Sequence, residues 1–141
     1  MSADIPTPRD HLAAASDGKY LYAVGGRELS ADKNLAALER YDPRDDSWKK
    51  LPNMPTPAGG LGAAIVSGRL VAVGGESPTS VLDAVQSFDL RTSKWSKLTA
   101  MKTPRHGTAV AAIGNSLYVI AGAAATGHVH STPTVEAIDF K

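Results

Sequence analysis

The amino-acid sequence predicts an all-β fold built from a repeat of about 47 residues. Thr-Pro pairs begin at Thr7, Thr56 and Thr103, which are 49 and 47 residues apart. Trp48 and Trp95 are also 47 residues apart. Because matched offsets between several motifs are typical of repeat architectures, each unit is expected to be one supersecondary element.

Each unit is expected to contain four short strands, a to d. Strand a is small and apolar, a Gly- or Asn-containing hairpin turn follows it, and strand b ends at a glycine. Strands a, b and c are predicted at 12–15, 20–24 and 38–41, at 61–66, 70–73 and 85–88, and at 108–113, 117–120 and 135–138. Strand d carries Trp48 or Trp95 and is missing from the third unit. The only helical feature expected is a single turn around residues 35–38.

The repeated glycines and aromatics have structural reasons. Glycine allows close backbone approach and positive φ where inner strands crowd near an axis. An aromatic residue and a tryptophan seven positions later can fill the wedge between neighbouring sheets. The predicted structural residues are Gly25, Gly26, Gly74, Gly75, Gly122, Tyr41, Trp48, Phe88 and Trp95. Four-stranded sheets arranged radially around a small-residue hub make a β-propeller.

Residues 8–55 resemble a kelch repeat. They contain, in order, Pro-Arg, Leu-Tyr-Ala-Val-Gly-Gly, Glu-Arg-Tyr-Asp-Pro and Trp-Lys-Lys-Leu-Pro-Asn-Met-Pro. The third unit departs from this pattern, with Ala121 replacing a glycine and Ile138 replacing the aromatic residue. The resemblance implies kelch-type blades of four antiparallel strands. The repeats are expected at 7–55, 56–102 and 103–141, the last one incomplete.

The length of 141 residues then corresponds to three blades. Closed propellers have about four to eight blades, and kelch rings resemble six-bladed wheels most often. The chain is therefore expected to be either part of a larger six-bladed propeller or one half of a homodimer that closes the ring by two-fold symmetry.

Composition excludes several classes of function. The net charge is +1, with 15 Lys+Arg against 14 Asp+Glu, which argues against a nucleic-acid partner. Long apolar runs are absent, so no membrane partner is expected, and the start does not resemble a signal peptide, which favours the cytoplasm. There is no cysteine and no catalytic signature, so a cofactor or metal is not expected.

Candidate binding residues collect at one end of the predicted blades. Because strands in a blade alternate in direction, the b–c loops (27–37, 76–84 and 123–134) and the d–a links lie at the same end. The candidates there are Arg9, His11, Arg27, Glu76, Arg105, His106, His128 and His130. Three arginines and up to four histidines at one end would suit a carboxylate or phosphate ligand. The kelch resemblance implies the same, since kelch substrate adaptors bind acidic peptides through arginines after the Gly-Gly pair and the proline, where Arg27, Arg9 and Arg105 stand.

Alternatives remain open at this level. Each arginine could instead pair with a nearby carboxylate such as Asp10 or Glu28. His128 and His130 have a spacing that suits a metal ion on a strand, but two histidines are too few for a closed site. The preferred reading is a non-catalytic scaffold that binds an acidic peptide or protein segment. The alternatives are a sugar- or small-molecule-active enzyme that uses His106, His128 or His130, and an architectural half-propeller that only self-associates.

Overall fold

A computed structural model describes residues 1–127 and 129–141. Its strands form three antiparallel sheets, each with its strands in sequence order, which we call blade 1 (β1 to β4), blade 2 (β5 to β8) and blade 3 (β9 to β11). The strands are β1 (Ala13–Ser16), β2 (Leu21–Val24), β3 (Leu38–Asp42), β4 (Ser47–Leu51), β5 (Gly62–Val66), β6 (Arg69–Val73), β7 (Val85–Asp89), β8 (Lys94–Lys97), β9 (Ala109–Ile113), β10 (Ser116–Ile120) and β11 (Val135–Asp139).

This architecture confirms the all-β fold of propeller blades. The strand bounds lie within one residue of those predicted for strands a, b and c. The helical turn expected at 35–38 is wrong, because β3 begins at Leu38 and the amide of Leu35 instead donates to the carbonyl of Gly26 (2.8 Å). A short 3-10 helix lies earlier, at Ala31–Lys33. In the described part of the chain no helix is long and apolar enough to cross a bilayer.

The core lies between the blades rather than within any one of them. The inner strands β1, β5 and β9 contact one another in that order. Blades 1 and 2 enclose one apolar cluster, in which Tyr22 and Val24 pack with Leu70 and Phe88. Blades 2 and 3 enclose a second cluster, in which valines around Val71 pack with Met101 and Leu117. Each sheet therefore buries a face only where it meets a neighbouring sheet.

An aromatic pair closes the outer part of blades 1 and 2. The rings of Tyr41 and Trp48 are 5.2 Å apart, and those of Phe88 and Trp95 are 5.1 Å apart. The indole of Trp95 also donates to the carbonyl of Pro52 (2.7 Å), which belongs to the preceding link. The tryptophan of strand d therefore joins two partners, the aromatic residue of strand c and the chain leading in from the blade before.

Gly74 marks the closest approach between blades. Its φ is +65°, and a Cβ there would lie 2.3 Å from the carbonyl oxygen of Arg105. The amide of the next residue, Gly75, donates to that same carbonyl (3.0 Å). Gly26 repeats this contact between blades 1 and 2 by donating to Ala58 (2.8 Å). The glycine pair thus lets the end of strand b hydrogen-bond to the following d–a link.

Two of the d–a links, those that lead into blades 1 and 3, are each fastened by a buried arginine–glutamate ion pair, which we call a clamp. The guanidinium of Arg9 lies 2.6 Å from the carboxylate of Glu39 on β3, and the two side chains are 0% and 1% exposed. Arg9 also donates to the carbonyls of Gly25 (2.6 Å) and Thr7 (2.7 Å). This single side chain therefore ties the link to strands b and c of its own blade.

Blade 3 has the same clamp. The guanidinium of Arg105, whose side chain is 0% exposed, bonds the carboxylate of Glu136 and the carbonyl of Thr134 (2.6 Å). Burial alone would raise the pKa of Glu136, but hydrogen bonds from the amides of Lys102 and Thr103, together with Arg105, hold that pKa below its usual value of 4.5. Glu136 is therefore ionised at neutral pH, as the clamp requires.

Blade 2 contains an uncharged version of this clamp. Ala58 stands where the other links have arginine, and Gln86 stands where the other c strands have glutamate. The side chain of Gln86 accepts from the amide of Thr56 (2.8 Å) and donates to the carbonyl of the same residue (3.0 Å). Both members of the pair change together because a buried carboxylate without its arginine would lack a counter-charge.

This interpretation predicts that the substitutions Arg9→Ala and Glu39→Gln are not additive, and that the second partly offsets the first. Arg9→Ala should lower the free energy of unfolding by about 3–5 kcal/mol, because it leaves Glu39 as an uncompensated buried charge. Adding Glu39→Gln to that variant should recover part of the loss, because the pair then matches blade 2. Urea unfolding followed by circular dichroism measures both values.

Gln86→Glu is the matched control in blade 2. It introduces a buried carboxylate with no arginine and should destabilise the chain. If Glu39→Gln were equally destabilising with and without Arg9, the two side chains would not act as a pair.

Candidate functional site

The three b–c loops and the d–a links meet at one end of the blades. Arg27, Glu76 and Ala123 hold equivalent positions just after the glycine pair or its counterpart. Each forms one isolated bridge to its neighbouring d–a link and a second bridge to its own b–c loop. The loops are thus held by backbone pairing, and the side chain after the glycines is fixed at the surface where they converge.

A cavity of about 490 Å³ opens at this end. His11, Glu76 and His106 contribute side chains to its wall, and Gly60 and Gly107 contribute backbone. The wall is continuous because the amide of Gly60 donates to His11 (2.8 Å) and that of Gly107 donates to Gly60 (2.7 Å). We call this space the axial cavity.

Glu76 is the electrostatic centre of the axial cavity. Its carboxylate accepts from the guanidinium of Arg27 (2.8 Å) and lies 3.7 Å from Nε2 of His106. The amide of Gly127 also approaches it, at 3.3 Å. The Glu76 and Arg27 side chains are only 9% and 17% exposed, so water screens their attraction less than it would at an open surface.

Arg27 connects Glu76 to the first blade. One of its terminal nitrogens lies 2.9 Å from Nε2 of His11, and its Nε lies 3.5 Å from the carboxylate of Asp10. Opposite it, Nε2 of His106 donates to the carbonyl of Ala125 (3.0 Å). The site therefore combines one arginine, two imidazoles and two carboxylates.

Two polar atoms beside the axial cavity have no hydrogen-bond partner among the described residues. They are Nε of Arg27, a donor, and Oδ1 of Asn34, an acceptor. The amide nitrogen of Asn34 is already engaged, because it donates to the carbonyl of Glu76 (2.6 Å). Buried polar atoms are normally paired, so these two atoms are exceptions in the part of the chain that the structure describes.

The expected patch of three exposed arginines is wrong. Arg9 and Arg105 are fully buried in the clamps with Glu39 and Glu136, so neither guanidinium reaches the surface. Of the three, only Arg27 lies beside the axial cavity, where it is already paired with the wall residue Glu76. The kelch-type spacing located all three positions. The carboxylates that pair with Arg9 and Arg105 lie about 30 residues further along the chain, and the spacing gives no indication of that pairing.

The histidine predictions divide in the same way. His11 and His106 line the axial cavity, whereas His130 is exposed, has a positive φ of 60° and does not line it. His128 lies outside the described residues. Within the described ranges no group of three His, Cys, Asp or Glu side chains is arranged to hold a metal ion. Sequence reasoning missed Asn34, which has no counterpart at a matched offset in the other repeats.

Comparisons with known proteins agree with this architecture. Over a 75-residue match that covers 52% of this chain and 13% of the relative, the chain is 37% identical to Kelch-like ECH-associated protein 1B of Danio rerio. It is 35% identical to Kelch-like protein 15 of Danio rerio over 78 residues, 55% of this chain and again 13% of the relative. The chain thus spans about an eighth of the length of these relatives.

A solved structure shares the fold. YjhT superposes with a TM-score of 0.84 and 22% sequence identity, over 99% of this chain and 52% of that one. The three blades thus correspond to about half of that structure. The profile of the KLHDC2/KLHL20/DRC7 Kelch-repeats domain matches residues 1–132. The chain belongs to the kelch-repeat family.

Proposed function

We propose that the chain is a non-catalytic protein-binding scaffold, and that the axial cavity receives an acidic side chain of a peptide or protein segment. Kelch-like relatives make protein partners plausible in general terms. The observation that carries the specific proposal is the guanidinium of Arg27, which contacts two residues of the cavity wall, Glu76 and His11, and whose Nε makes no hydrogen bond among the described residues. A ligand carboxylate there would gain a charge-assisted hydrogen bond.

The charges of the site limit what such a ligand can look like. Arg27 is already balanced by Glu76 at 2.8 Å and approached by Asp10 at 3.5 Å. A densely acidic segment would meet these two carboxylates as well as the guanidinium. We therefore expect a segment with one inserted Asp or Glu, flanked by uncharged residues that contact the walls at His11 and Gly60.

Peptide binding tests this proposal. Peptides with a single Asp or Glu in a neutral context should bind, and their Asn or Gln counterparts should bind about ten- to a hundred-fold more weakly, since a hydrogen bond to a charged group contributes about 1.5–3 kcal/mol. Arg27→Gln should remove that difference. Fluorescence anisotropy with a labelled peptide panel gives the affinities.

Arg44→Gln is the control, because Arg44 has a 66% exposed side chain in the c–d turn at the opposite end of blade 1. It makes the same change of charge and should leave binding unchanged. Equal affinity for acidic and amide peptides in the wild-type chain would contradict the proposal.

We further propose that a second copy of the chain covers the open face of blade 3. Residues at matched positions on blades 1 and 2 are buried by the next blade, whereas in blade 3 they face outward. The matched sets are Tyr22, Val24 and Leu38; Val71, Val73 and Val85; and Tyr118, Ile120 and Val135. Val24 and Val73 are at most 1% exposed, but Ile120 is 39% exposed and Val135 is 57% exposed. An apolar sheet face of this kind favours a partner with a complementary face.

The backbone at the two ends of the chain supports the same partner. His11, Gly60 and Gly107 hold equivalent positions just before the inner strands. The amide of Gly60 donates to the carbonyl of His11, and the amide of Gly107 donates to the carbonyl of Gly60. In the described residues the carbonyl of Gly107 accepts no such bond, and the amide of His11 donates none. A second copy would bring these two groups together and continue the series.

Ala121 distinguishes this contact from those inside the chain. It occupies the position of Gly25 and Gly74, where a Cβ would lie 2.7 and 2.3 Å from the carbonyl of the next link. Ala121 keeps a positive φ of 53° although it has a Cβ. The contact between copies should therefore be wider than the contact between blades, and correspondingly weaker.

Sedimentation equilibrium tests the self-association. The 14.7 kDa chain should form a dimer reversibly, Ile120→Lys should make it monomeric, and Ala121→Gly should tighten it several-fold by removing the Cβ from the contact. Leu29→Lys is the control, because Leu29 is 81% exposed in a loop of blade 1. A monomer at every concentration, for both the wild-type chain and Ala121→Gly, would contradict this proposal.

A further inference from the structure

His11 stands at a backbone position where the other two repeats have glycine. The equivalent residues are Gly60 and Gly107, and the φ angles of the three are +52°, +68° and +59°. Glycine adopts this left-handed conformation without steric cost, whereas a residue with a Cβ does not. A histidine here is therefore less favourable for folding than the residue of the other repeats, which indicates that its side chain serves a site.

Hydrogen bonds determine where the His11 ring carries its proton. Nε2 lies 2.9 Å from a terminal nitrogen of Arg27, and Nδ1 lies 2.9 Å from a carboxylate oxygen of Asp10. Because a guanidinium can only donate, Nε2 must accept and carries no proton. The proton of the neutral ring is then on Nδ1, which donates it to Asp10. The observed contacts therefore require an uncharged imidazole.

A second proton on His11 would change its contact with Arg27 from attraction to repulsion. Nε2 would become a donor, and it would face the donor nitrogen of Arg27 with no acceptor between them. A ligand carboxylate can accept from both groups, because it has two oxygens and a negative charge. The pair is preorganised for this, since two backbone hydrogen bonds of 2.9 and 3.0 Å join Asp10 to Arg27. The His11 side chain is 44% exposed, so a ligand can reach it.

Four other ionisable side chains face this part of the axial cavity in the described chain. Asp10 and Arg27 contact His11 directly. Glu76 accepts from Arg27 at 2.8 Å and lies 3.7 Å from Nε2 of His106. At His11, the carboxylate of Asp10 attracts a positive ring and the guanidinium of Arg27 repels it. A ligand carboxylate between the two cations would add to the attraction and offset the repulsion, so its arrival favours the protonated ring.

We propose that His11 takes up a proton when the axial cavity binds a carboxylate, and that the protonated ring and Arg27 then hold the ligand together. This inference rests on the acidic ligand proposed above and adds a second residue that contacts it. Histidine changes its charge between roughly pH 5 and 8, whereas a ligand carboxylate is ionised throughout that range. Because the bound state holds more protons than the free state, binding strengthens as the pH falls.

Isothermal titration calorimetry of the full chain tests the proton uptake. The probe is a peptide with a single glutamate in a neutral context, titrated at about pH 7 in buffers that differ in ionisation enthalpy. The apparent binding enthalpy should change from buffer to buffer, with a slope that corresponds to uptake of a fraction of a proton for each peptide bound. The affinity should also rise about two- to five-fold between about pH 8 and about pH 6, the range for a partly exposed ion pair.

His11→Gly is the decisive variant, because it gives this position the residue of the other two repeats. It should fold and should still prefer the acidic peptide to its amide counterpart through Arg27, but it should lose the proton uptake of the wild-type chain and the rise in affinity at low pH. Any proton taken up by His106 is retained in this variant, so the difference from the wild-type chain isolates His11.

His130→Gly is the matched control. His130 is also exposed and has a positive φ of 60°, but it does not line the axial cavity. The same substitution there should leave both the proton uptake and the pH dependence of binding unchanged.

Two results would overturn this inference while leaving the proposed carboxylate ligand intact. One is an acidic peptide that binds in preference to its amide counterpart with an enthalpy independent of the buffer. The other is proton uptake of the same size in the wild-type chain and in His11→Gly. A wild-type chain that binds no acidic peptide at either about pH 6 or about pH 8 would instead contradict the proposed function, and this inference with it.

Discussion

The architecture depends on the way each d–a link is fastened to its own blade. The link carries the chain from the outer strand of one blade to the inner strand of the next, so it must be held against the blade that it enters. Arg9 does this with four donor contacts, to Glu39 and to the carbonyls of Thr7, Ala23 and Gly25. Each of these bonds pairs a backbone carbonyl or a carboxylate oxygen that would otherwise be buried without a hydrogen-bond donor. The clamp therefore depends on the directions of its hydrogen bonds as well as on charge. Gln86 makes the corresponding contact to the link in blade 2 with no charge.

The clamps also explain why the candidate site is nearly neutral. Two of the three arginines that the kelch pattern places near the links are used for folding, and only Arg27 remains beside the axial cavity. Glu76 then restrains that arginine and draws in His106. For the ligand proposed above, we expect such a site to discriminate by the position of one carboxylate. It does not attract acidic chains by a strong positive field.

The repeat offsets predicted the fold well because the residues that recur are those that the backbone conformation and the packing of each blade require. Gly74 has a positive φ and no room for a Cβ, and Trp95 must reach both Phe88 and Pro52, so these positions are visible in the sequence. The site was harder to predict. Whether an arginine after the link proline points to solvent or to Glu39 depends on which residue lies opposite in the folded sheet. Local spacing carries no information about that partner.

The broad face of blade 3 differs from the matching faces of blades 1 and 2 for a physical reason. Ile120 and Val135 lie on it and are 39% and 57% exposed, whereas Val24 and Val73 are at most 1% exposed. Burial of apolar area is non-directional, so a complementary apolar face is sufficient to cover such a surface. Ala121 stands where blades 1 and 2 have Gly25 and Gly74, at which a Cβ would lie 2.7 and 2.3 Å from a carbonyl of the next link. The Cβ of Ala121 therefore favours a wider and weaker contact at this face than the packing found between blades 1 and 2.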